Sequence, residues 1–350
     1  MLLHSRFVKS SFCHAFGAIT PLQQLLSNVI SSIYQSYNNL NMVVDINLTP
    51  TASHILIDRT EHATSEQSQL AKPLPARTWG TPNECAAGAI LVHGLGAHSG
   101  WFEALGRRLR IRRIYSIAYD QVGFGKRKDE EFVSYTQWLT DLETAFTYAR
   151  DTIGDKPLYI MGNSMGAVVS VRALSDRLVD PAGLVMFSPG FDGHPEVFTL
   201  PFRIKALWQA FTAPDSEVVL PYSPELVTRD LGVRKWILSD PERRFTVPAR
   251  MLLELLKITN DLSKRSKQIV CPVMMFSAGM ERIVNPRASE KLFSGLTCAK
   301  EKEVYQDAWH DLMFDPIIDE MSDRLSSWIS QTSLTAKPAS KVKADFRKST

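Results

Sequence analysis

The sequence has few cysteines and no long apolar run. Its 350 residues include four cysteines, Cys13, Cys85, Cys271 and Cys298, and no two of them have the spacing of metal ligands. We therefore expect reduced thiols, a reducing compartment such as the cytoplasm, no disulfide scaffold and no metal site. No apolar stretch reaches the roughly 18 residues that a membrane-spanning helix requires.

A large excess of charge of one sign is also missing. The chain has 40 Lys and Arg residues against 37 Asp and Glu residues, which gives a formal net charge of +3. Much of that excess falls in the last residues, where five basic side chains accompany a single acid: Lys337, Lys341, Lys343, Arg347 and Lys348. A nucleic-acid-binding protein needs a basic face on its folded body, so we expect no nucleic-acid partner.

The two ends of the chain differ from the body. Apolar residues follow Thr20-Pro21 at helical spacing and predict an amphipathic helix: Leu22, Leu25, Leu26, Val29, Ile30, Ile33 and Tyr37. Its polar face lacks the cations of a typical membrane-surface helix. We expect residues 1–50 to be an extension packed on the body, or a segment preceding an alternative start at Met42, and residues 333–350 to be a basic flexible tail.

The body alternates short apolar runs with longer helical patterns. The runs are His54–Asp58, Ala89–Val92, Tyr115–Tyr119, Leu158–Met161, Gly183–Phe187, Val273–Ser277 and Lys302–Tyr305. The helical patterns are Trp101–Arg110, Tyr135–Thr152, Met165–Leu178, Pro286–Phe293 and Pro316–Ser330. This alternation predicts an α/β fold with a mostly parallel, doubly wound sheet. The alternation of strands and helices is interrupted over residues 192–268. This interruption predicts a helical cap inserted between a first core part (51–191) and a second one (269–332).

A nucleophile is predicted where one apolar run turns into a helix. The segment Gly162-Asn-Ser164-Met-Gly166 has the Gly-x-Ser-x-Gly pattern between a strand and a helix. The turn is so tight that residues two before and two after the serine must lack bulk. It exposes the Ser164 hydroxyl at the N-terminus of the helix, where developing negative charge is stabilised.

A second glycine-rich turn predicts an oxyanion hole. His93-Gly94-Leu95-Gly96 ends another apolar run, and its glycines allow the backbone to approach the nucleophile. We expect the backbone N–H groups of Leu95 and Met165 to bind the oxyanion together. His93 and His98 are interpreted as holding this loop by hydrogen bonds.

The remaining partners of a triad are a base and an acid. His310 follows the last predicted strand and lies after both Ser164 and the cap, as the order Ser, acid, His requires. His194, at the start of the cap, is the alternative base. Glu281, just past the strand Val273–Ser277, is our choice of acid, and Asp192 is its main rival.

These segments together resemble the α/β-hydrolase superfamily, and within it the monoacylglycerol lipase and lysophospholipase-like group of S33-type serine aminopeptidases. The likeness spans about Trp79 to Ile329 and also includes Phe187-Ser-Pro189, Ser223-Pro-Glu-Leu-Val-Thr-Arg-Asp230, Gly279-x-Glu281-Arg-Ile-Val284 and Trp309-His310-Asp311. The resemblance implies Ser164 as nucleophile, His310 as base, Leu95 and Met165 as the oxyanion hole, and no cofactor.

Two positions depart from this group. The group usually has Asp where Glu281 stands, so the loop that carries this longer side chain must adjust. It also usually reads Asp-x-Arg-Gly-His-Gly where this chain has Asp120-Gln-Val-Gly-Phe-Gly125. That turn is structural, so we expect it to alter the wall of the site more than the chemistry.

The cap is unusually apolar and suggests a lipid substrate. Phe198, Phe202 and Trp208 are expected to bind substrate. The surplus of apolar residues is expected to line an acyl-chain channel or a membrane-facing rim, and the alternative is that all of it packs inside the cap. Arg234, Lys235, Arg243 and Arg244 offer a cationic cluster for a phospholipid head group, but we favour their interpretation as a solvated face.

The sequence thus predicts a serine hydrolase that cleaves a carboxylic ester, most simply a monoacylglycerol or a lysophospholipid, with peripheral membrane contact. Two alternatives remain. One is an amide or peptide hydrolase with the same triad, and the other is a hydrolase-like protein that binds a ligand without turnover.

Overall fold

The computed structural model describes residues 51–59 and 73–335. The predicted N-terminal helix and the basic tail lie outside the described residues, apart from the first positions of the tail. Those positions, 333–335, end the last helix.

An eight-stranded sheet forms the centre of the described fold, in the order β1-β2-β4-β3-β5-β6-β9-β10. Its strands are β1 (Ser53–Ile57), β2 (Leu74–Trp79), β3 (Ala87–Val92), β4 (Ile114–Tyr119), β5 (Leu158–Asn163), β6 (Gly183–Phe187), β9 (Val273–Ala278) and β10 (Lys300–Tyr305). The first two pairings are antiparallel and the other five are parallel. Each of the seven predicted runs coincides with a strand, whereas β2 was not predicted because proline and arginine interrupt its apolar residues.

Helices cover both faces of the sheet. They are α1 (Glu103–Ile111), α2 (Thr136–Ile153), α3 (Met165–Ser175), α9 (Pro286–Gly295) and α10 (Ile318–Thr335). One apolar core contains residues of α2, α3 and α9, and the other contains residues of α1 and α10. Strands β3 to β6 are therefore buried along their whole length. This arrangement confirms the doubly wound α/β class.

The chain leaves the sheet between β6 and β9 to build the cap. This segment contains α4 (Leu200–Thr212), β7 (Glu217–Val219), α5 (Pro224–Val227), α6 (Leu231–Ser239), β8 (Thr246–Pro248), α7 (Ala249–Thr259) and α8 (Leu262–Arg265). Strands β7 and β8 pair with each other as a small antiparallel sheet. A cap inserted between core strands is thus present, and it covers the ends of the strands that carry the predicted site residues.

Helix α4 has two different apolar faces. Phe202, Ala206 and Ala210, spaced four residues apart, point toward the protein, and both alanines are buried. The opposite face is exposed although it is apolar: Leu200, Ile204, Leu207, Trp208 and Phe211. Below, we call these five residues the α4 stripe. A helix that only covered a core would bury its one apolar face and expose polar residues.

Candidate active site

Ser164 occupies the tight turn between β5 and α3. Its φ and ψ angles are 52° and −115°, a conformation that residues other than glycine rarely adopt. The backbone N–H of Ser164 donates to the carbonyl of Phe187 at 2.9 Å, which fixes the turn against the neighbouring strand. A Cβ atom at Gly162 would lie 2.5 Å from the backbone of Ala167, and one at Gly166 would overlap the Val92 carbonyl. Both glycines are therefore required by the close packing of the turn.

The glycine-rich turn after β3 lies directly against the nucleophile. A Cβ atom at Gly94 would be 3.1 Å from Cβ of Ser164. Leu95 and Met165 line the same cavity as Ser164. Met165 is the first residue of α3, so its N–H has no acceptor within the helix and is available to an oxyanion.

His310 is paired with Glu281. Their Nδ1 and Oε2 atoms are 2.7 Å apart, and both side chains are buried. The other carboxylate oxygen of Glu281 accepts the N–H groups of Ile283 at 2.8 Å and Val284 at 3.0 Å. These backbone bonds fix the longer glutamate side chain, which is the local adjustment that this departure from aspartate requires.

The electrostatics of this pair favour an ionised acid and a basic imidazole. The positive charge of His310 and the two backbone N–H donors hold the pKa of Glu281 below its usual value, against the effect of burial. The carboxylate of Glu281 in turn raises the pKa of His310, although burial alone would lower it. Burial raises the pKa of the neighbouring Asp311 to about 6.

The rival residues make other contacts. Asp192 forms an ion pair with Arg203 at 2.9 Å and accepts a hydrogen bond from the amide of Asn285 at 3.1 Å. His194 accepts the N–H of Glu196 at 3.3 Å through Nδ1 and is not part of the cavity wall. The structure therefore places Glu281, rather than Asp192, on His310.

Buried charges attach the glycine-rich loop after β3, residues 93–99, to the cap. We call this segment the oxyanion loop after the role that the sequence predicts for it. His98 lies 2.8 Å from Asp240 through Nε2 and 3.0 Å from Glu242 through Nδ1, and these carboxylates raise its pKa to about 9. Arg77 from β2 also pairs with Glu242, at 2.6 Å. From the cap, the hydroxyl of Tyr222 donates to the carbonyl of Leu95 at 2.6 Å. His98 therefore holds the loop through its contacts with two carboxylates of the cap, Asp240 and Glu242. His93 contacts the carbonyl of the adjacent glycine at 2.9 Å.

A cavity of about 420 Å³ lies between the core and the cap, where Ser164, His310, Leu95 and Met165 meet. Its wall includes Ser164 and His310 together with apolar residues from α4 and α7: Leu200, Phe202, Ile204, Ala206, Leu207, Leu252, Leu253, Leu255 and Leu256. Phe198 and Phe202 line it as predicted. Trp208 does not, and that expectation is corrected: Trp208 lies on the outer face of α4 with 69% of its surface exposed.

The sequence analysis did not assign a role in the site to several residues that also line the wall, among them Asn163, Tyr222, Arg243 and Asp311. Asn163 and Asp311 are the chain neighbours of the predicted nucleophile and base, so their places in the two motifs could have indicated that they line the site. Tyr222 and Arg243 come from cap loops without a pattern. The interpretation of Arg243 as part of a solvated face was wrong, because only 6% of its surface is exposed.

Comparisons with known proteins identify the family and the fold. A family described as "Serine aminopeptidase, S33" matches residues 84–317. The chain is 24% identical to monoglyceride lipase of Homo sapiens over 272 residues, which cover 75% of this chain and 89% of that protein. It is 22% identical to the monoglyceride lipase homolog of Monkeypox virus, over 69% and 88% of the two chains. The crystal structure of a soluble variant of Saccharomyces cerevisiae monoglyceride lipase, in complex with a substrate analog, superposes with a TM-score of 0.68 at 20% identity, covering 74% and 92%.

The sheet order, the strand–serine–helix turn and the inserted cap define an α/β-hydrolase. Since the family match spans most of the described body, the chain belongs to the serine aminopeptidase S33 family within that fold.

Proposed function

We propose that this protein is a serine hydrolase that cleaves carboxylic esters of long acyl chains through an acyl-enzyme, with lipid esters of the monoacylglycerol or lysophospholipid type as substrates. One observation carries the proposal: Ser164 and His310, the latter paired with the buried Glu281, are brought together at a single cavity whose wall is mostly apolar, and Ser164 and His310 both line it. Several similar proteins are named monoglyceride lipases, which supports the choice of substrate.

In the first half of the reaction, His310 accepts the proton of the Ser164 hydroxyl while the oxygen attacks the ester carbonyl. The N–H groups of Leu95 and Met165 donate to the oxyanion of the tetrahedral intermediate. Glu281 holds Nδ1 of the imidazole and stabilises the imidazolium that forms. The glycine at position 94 contributes by letting the oxyanion loop lie against the nucleophile.

In the second half, His310 gives its proton to the departing alcohol, and the acyl group remains on Ser164. A water molecule then attacks the acyl carbonyl while His310 takes its proton, the bond between the acyl group and Oγ of Ser164 breaks, and His310 returns the proton to Ser164 as the fatty acid leaves. The raised pKa of His310 suits both transfers, because the imidazole must take up a proton in one step and release it in the next.

The cap determines the acyl specificity in this proposal. Drug-sized ligands bind in cavities of about 300–1,000 Å³ with mostly apolar walls, and this cavity has the same character. The apolar side chains of α4 and α7 face an acyl chain that extends away from Ser164. The charged residue that α4 contributes to the wall, Arg203, is paired with Asp192, so these helices do not offer a free charge to the amino group of a peptide substrate.

The α4 stripe gives the cavity a mouth suited to a lipid surface. Leu200, Ile204 and Leu207 belong both to the stripe and to the cavity wall. Leu256 of α7, also part of the wall, is 55% exposed. An exposed apolar patch at the entrance of a cavity is typical of membrane or lipid contact. We propose that the enzyme takes its substrate from a membrane by peripheral contact through this stripe. None of the described helices is long and apolar enough to cross a membrane.

The test is hydrolysis of p-nitrophenyl esters from acetyl to palmitoyl, with an aminoacyl arylamide alongside and Ser164→Ala as the matched control. We expect kcat/KM to rise with chain length, no cleavage of the arylamide, and a loss of roughly 10⁴-fold or more in the variant. A fluorophosphonate probe should label the wild type at Ser164. Hydrolysis retained in Ser164→Ala, or absence of both turnover and labelling, would overturn the proposal.

A further inference from the structure

Arg243 places an unpaired guanidinium in the wall of the active-site cavity. Only 6% of its surface is exposed, and it lines the cavity together with Ser164 and His310. Its Nη1 atom is fully buried and has no hydrogen-bond partner among the described residues. Buried polar groups in folded proteins are almost always satisfied, so an unsatisfied cation at a binding site indicates a ligand that completes it.

Asp240 and Glu225 attract the Arg243 cation through space, but among the described residues neither forms an ion pair or a hydrogen bond with it. Both oxygens of Asp240 are already occupied, because Oδ2 accepts from His98 and Trp101 and Oδ1 accepts from the N–H of Glu242. The ring of Phe245 covers one face of the guanidinium at 4.1 Å from its centroid. A stacked aromatic ring holds a guanidinium in place while leaving the donors at its edge available.

The second arginine of the cavity wall shows the contrast. Arg203 pairs with Asp192 at 2.9 Å and donates to the carbonyls of Phe198 at 2.7 Å and Gly193 at 2.8 Å. Its donors are thus used to fix the start of the cap. In the described part of the chain, Arg243 is therefore the cavity arginine that retains donors for a bound molecule.

Arg243 reaches the cavity from the side of the oxyanion loop. The next residue, Arg244, donates its N–H to the carbonyl of Gly96 at 3.0 Å. Tyr222, whose hydroxyl binds the carbonyl of Leu95, lies close enough to Arg243 for the cation to act on the pKa of that phenol. The apolar walls that would contact an acyl chain come from α4 and α7. The guanidinium of Arg243 lies instead on the side of the oxyanion loop and would therefore contact the alcohol part of the ester.

We infer that Arg243 binds an anionic group on the alcohol part of the substrate, and that the preferred substrates are acyl esters of glycerol phosphates rather than neutral monoacylglycerols. This inference rests on the proposed ester hydrolysis. A phosphate oxygen would accept charge-assisted hydrogen bonds from the free edge of the guanidinium, the geometry in which arginine binds phosphate best. A phosphomonoester and a phosphodiester share this chemistry, and the assay below separates them.

The experiment compares kcat/KM for three substrates with one acyl chain: 1-oleoylglycerol, its 3-phosphate, and the corresponding phosphodiester with a second glycerol. The variants are Arg243→Gln and Arg243→Lys. The control is Lys235→Gln, which removes one positive charge from an exposed position of α6 that does not line the cavity. We expect the wild type to favour an anionic ester, and Arg243→Gln to lower the ratio of anionic to neutral kcat/KM by about tenfold or more, mainly through KM.

Arg243→Lys should retain part of the preference because it keeps the charge, and Lys235→Gln should retain all of it. Comparison of kcat/KM for the phosphomonoester with kcat/KM for the phosphodiester shows which anionic form the site prefers. An active Arg243→Gln enzyme with an unchanged ratio would overturn the inference while leaving the proposed hydrolysis intact.

A binding measurement keeps the inference testable if no ester is hydrolysed or if Arg243→Gln is inactive. Dodecyl phosphate is titrated calorimetrically into Ser164→Ala and into the double variants that add Arg243→Gln or Lys235→Gln. We expect binding that weakens about tenfold or more only when Arg243 is changed. Equal affinity in all three proteins would overturn the anion site. Failure of hydrolysis alone would overturn only the proposed function.

Discussion

Asn163 and Asp311 are joined by a buried hydrogen bond, in which Nδ2 of the amide donates to Oδ2 of the carboxylate at 3.2 Å. Each residue is the chain neighbour of a proposed catalytic group, Asn163 of Ser164 and Asp311 of His310. The bond therefore ties the nucleophile turn to the loop that carries the base. The N–H of Met313 donates to the other oxygen of Asp311 at 3.2 Å, so the carboxylate is held on both sides.

This relationship predicts a pH effect of Asp311 on catalysis. Its negative charge contributes to the raised pKa of His310, after the larger effect of Glu281. His310 must be neutral to act as base, so kcat/KM should fall as the pH drops through its pKa, at a midpoint above the usual histidine value of about 6.5. Asp311→Asn should move this midpoint to lower pH, since it removes a charge that favours the imidazolium.

The measurement is a pH profile of kcat/KM on a short p-nitrophenyl ester. Asn163→Ala is the companion variant, because it breaks the same hydrogen bond but leaves the charge beside His310. A midpoint that shifts equally in both variants would assign the effect to the bond rather than to the charge. No shift in either would contradict the electrostatic role of Asp311.

The choice of triad acid gives a second prediction. Glu281→Gln should lower kcat by about 10²–10⁴-fold, because the amide cannot stabilise the imidazolium. Glu281→Asp should restore only part of the activity, because the shorter side chain cannot keep both the 2.7 Å contact to His310 and its backbone bonds. Asp192→Asn should lose far less, since Asp192 is engaged with Arg203. Steady-state kinetics of the three variants would contradict this assignment if Asp192→Asn were the most impaired.

Most of this site followed from the sequence because its chemistry depends on the backbone. The glycines around Ser164 and at position 94 are needed for close approach, and that need leaves a pattern that can be read directly. Strands buried on both faces leave equally clear apolar runs. Strand β2 does not, since a strand with a proline and an arginine resembles a loop.

The cap was less predictable because its contacts depend on which side of each helix faces inward. Trp208 is one residue beyond Leu207, yet Leu207 lines the cavity and Trp208 does not. Arg243 and Arg244 are adjacent in sequence, but only Arg243 is buried in the cavity wall. Such differences arise from the packing of short loops between cap helices. The hydrophobic periodicity of the sequence does not show which side chains of the cap face the cavity.

A third prediction concerns stability and the His98 pair with Asp240 and Glu242. Because the pKa of His98 is raised to about 9 in the folded protein and is about 6.5 unfolded, the pair stabilises fully below pH 6.5 and loses its effect as the pH rises through 9. A shift of this size corresponds to about 3 kcal/mol in the free energy of unfolding. The excess stability of the wild type over His98→Gln should therefore decline between pH 6.5 and 9.

Chemical denaturation at several pH values measures this difference. Because the variant leaves Asp240 without its cation and Glu242 with Arg77 alone, a direct reading on the wild type is also needed. The imidazole resonance of His98 should titrate near pH 9 in an NMR experiment. Titration near 6.5 would show that the cation does not attach the oxyanion loop to the cap.

The last prediction tests the contact of the α4 stripe with membranes. Trp208 and Phe211 are 69% and 71% exposed and lie outside the cavity wall, so changing them alters the surface without changing the site. Each large apolar side chain that enters the lipid contributes about 1–2 kcal/mol, so Trp208→Ser with Phe211→Ser should weaken binding to phosphatidylcholine vesicles about tenfold or more. Hydrolysis of esters presented in vesicles should fall in parallel, while hydrolysis of a dissolved short ester should not. The matched control is Ile111→Ser with Val270→Ser, which removes two equally exposed apolar residues from elsewhere on the surface. If that control weakened vesicle binding as much, the contact would be a general effect of exposed apolar area and would not belong to the entrance of the cavity.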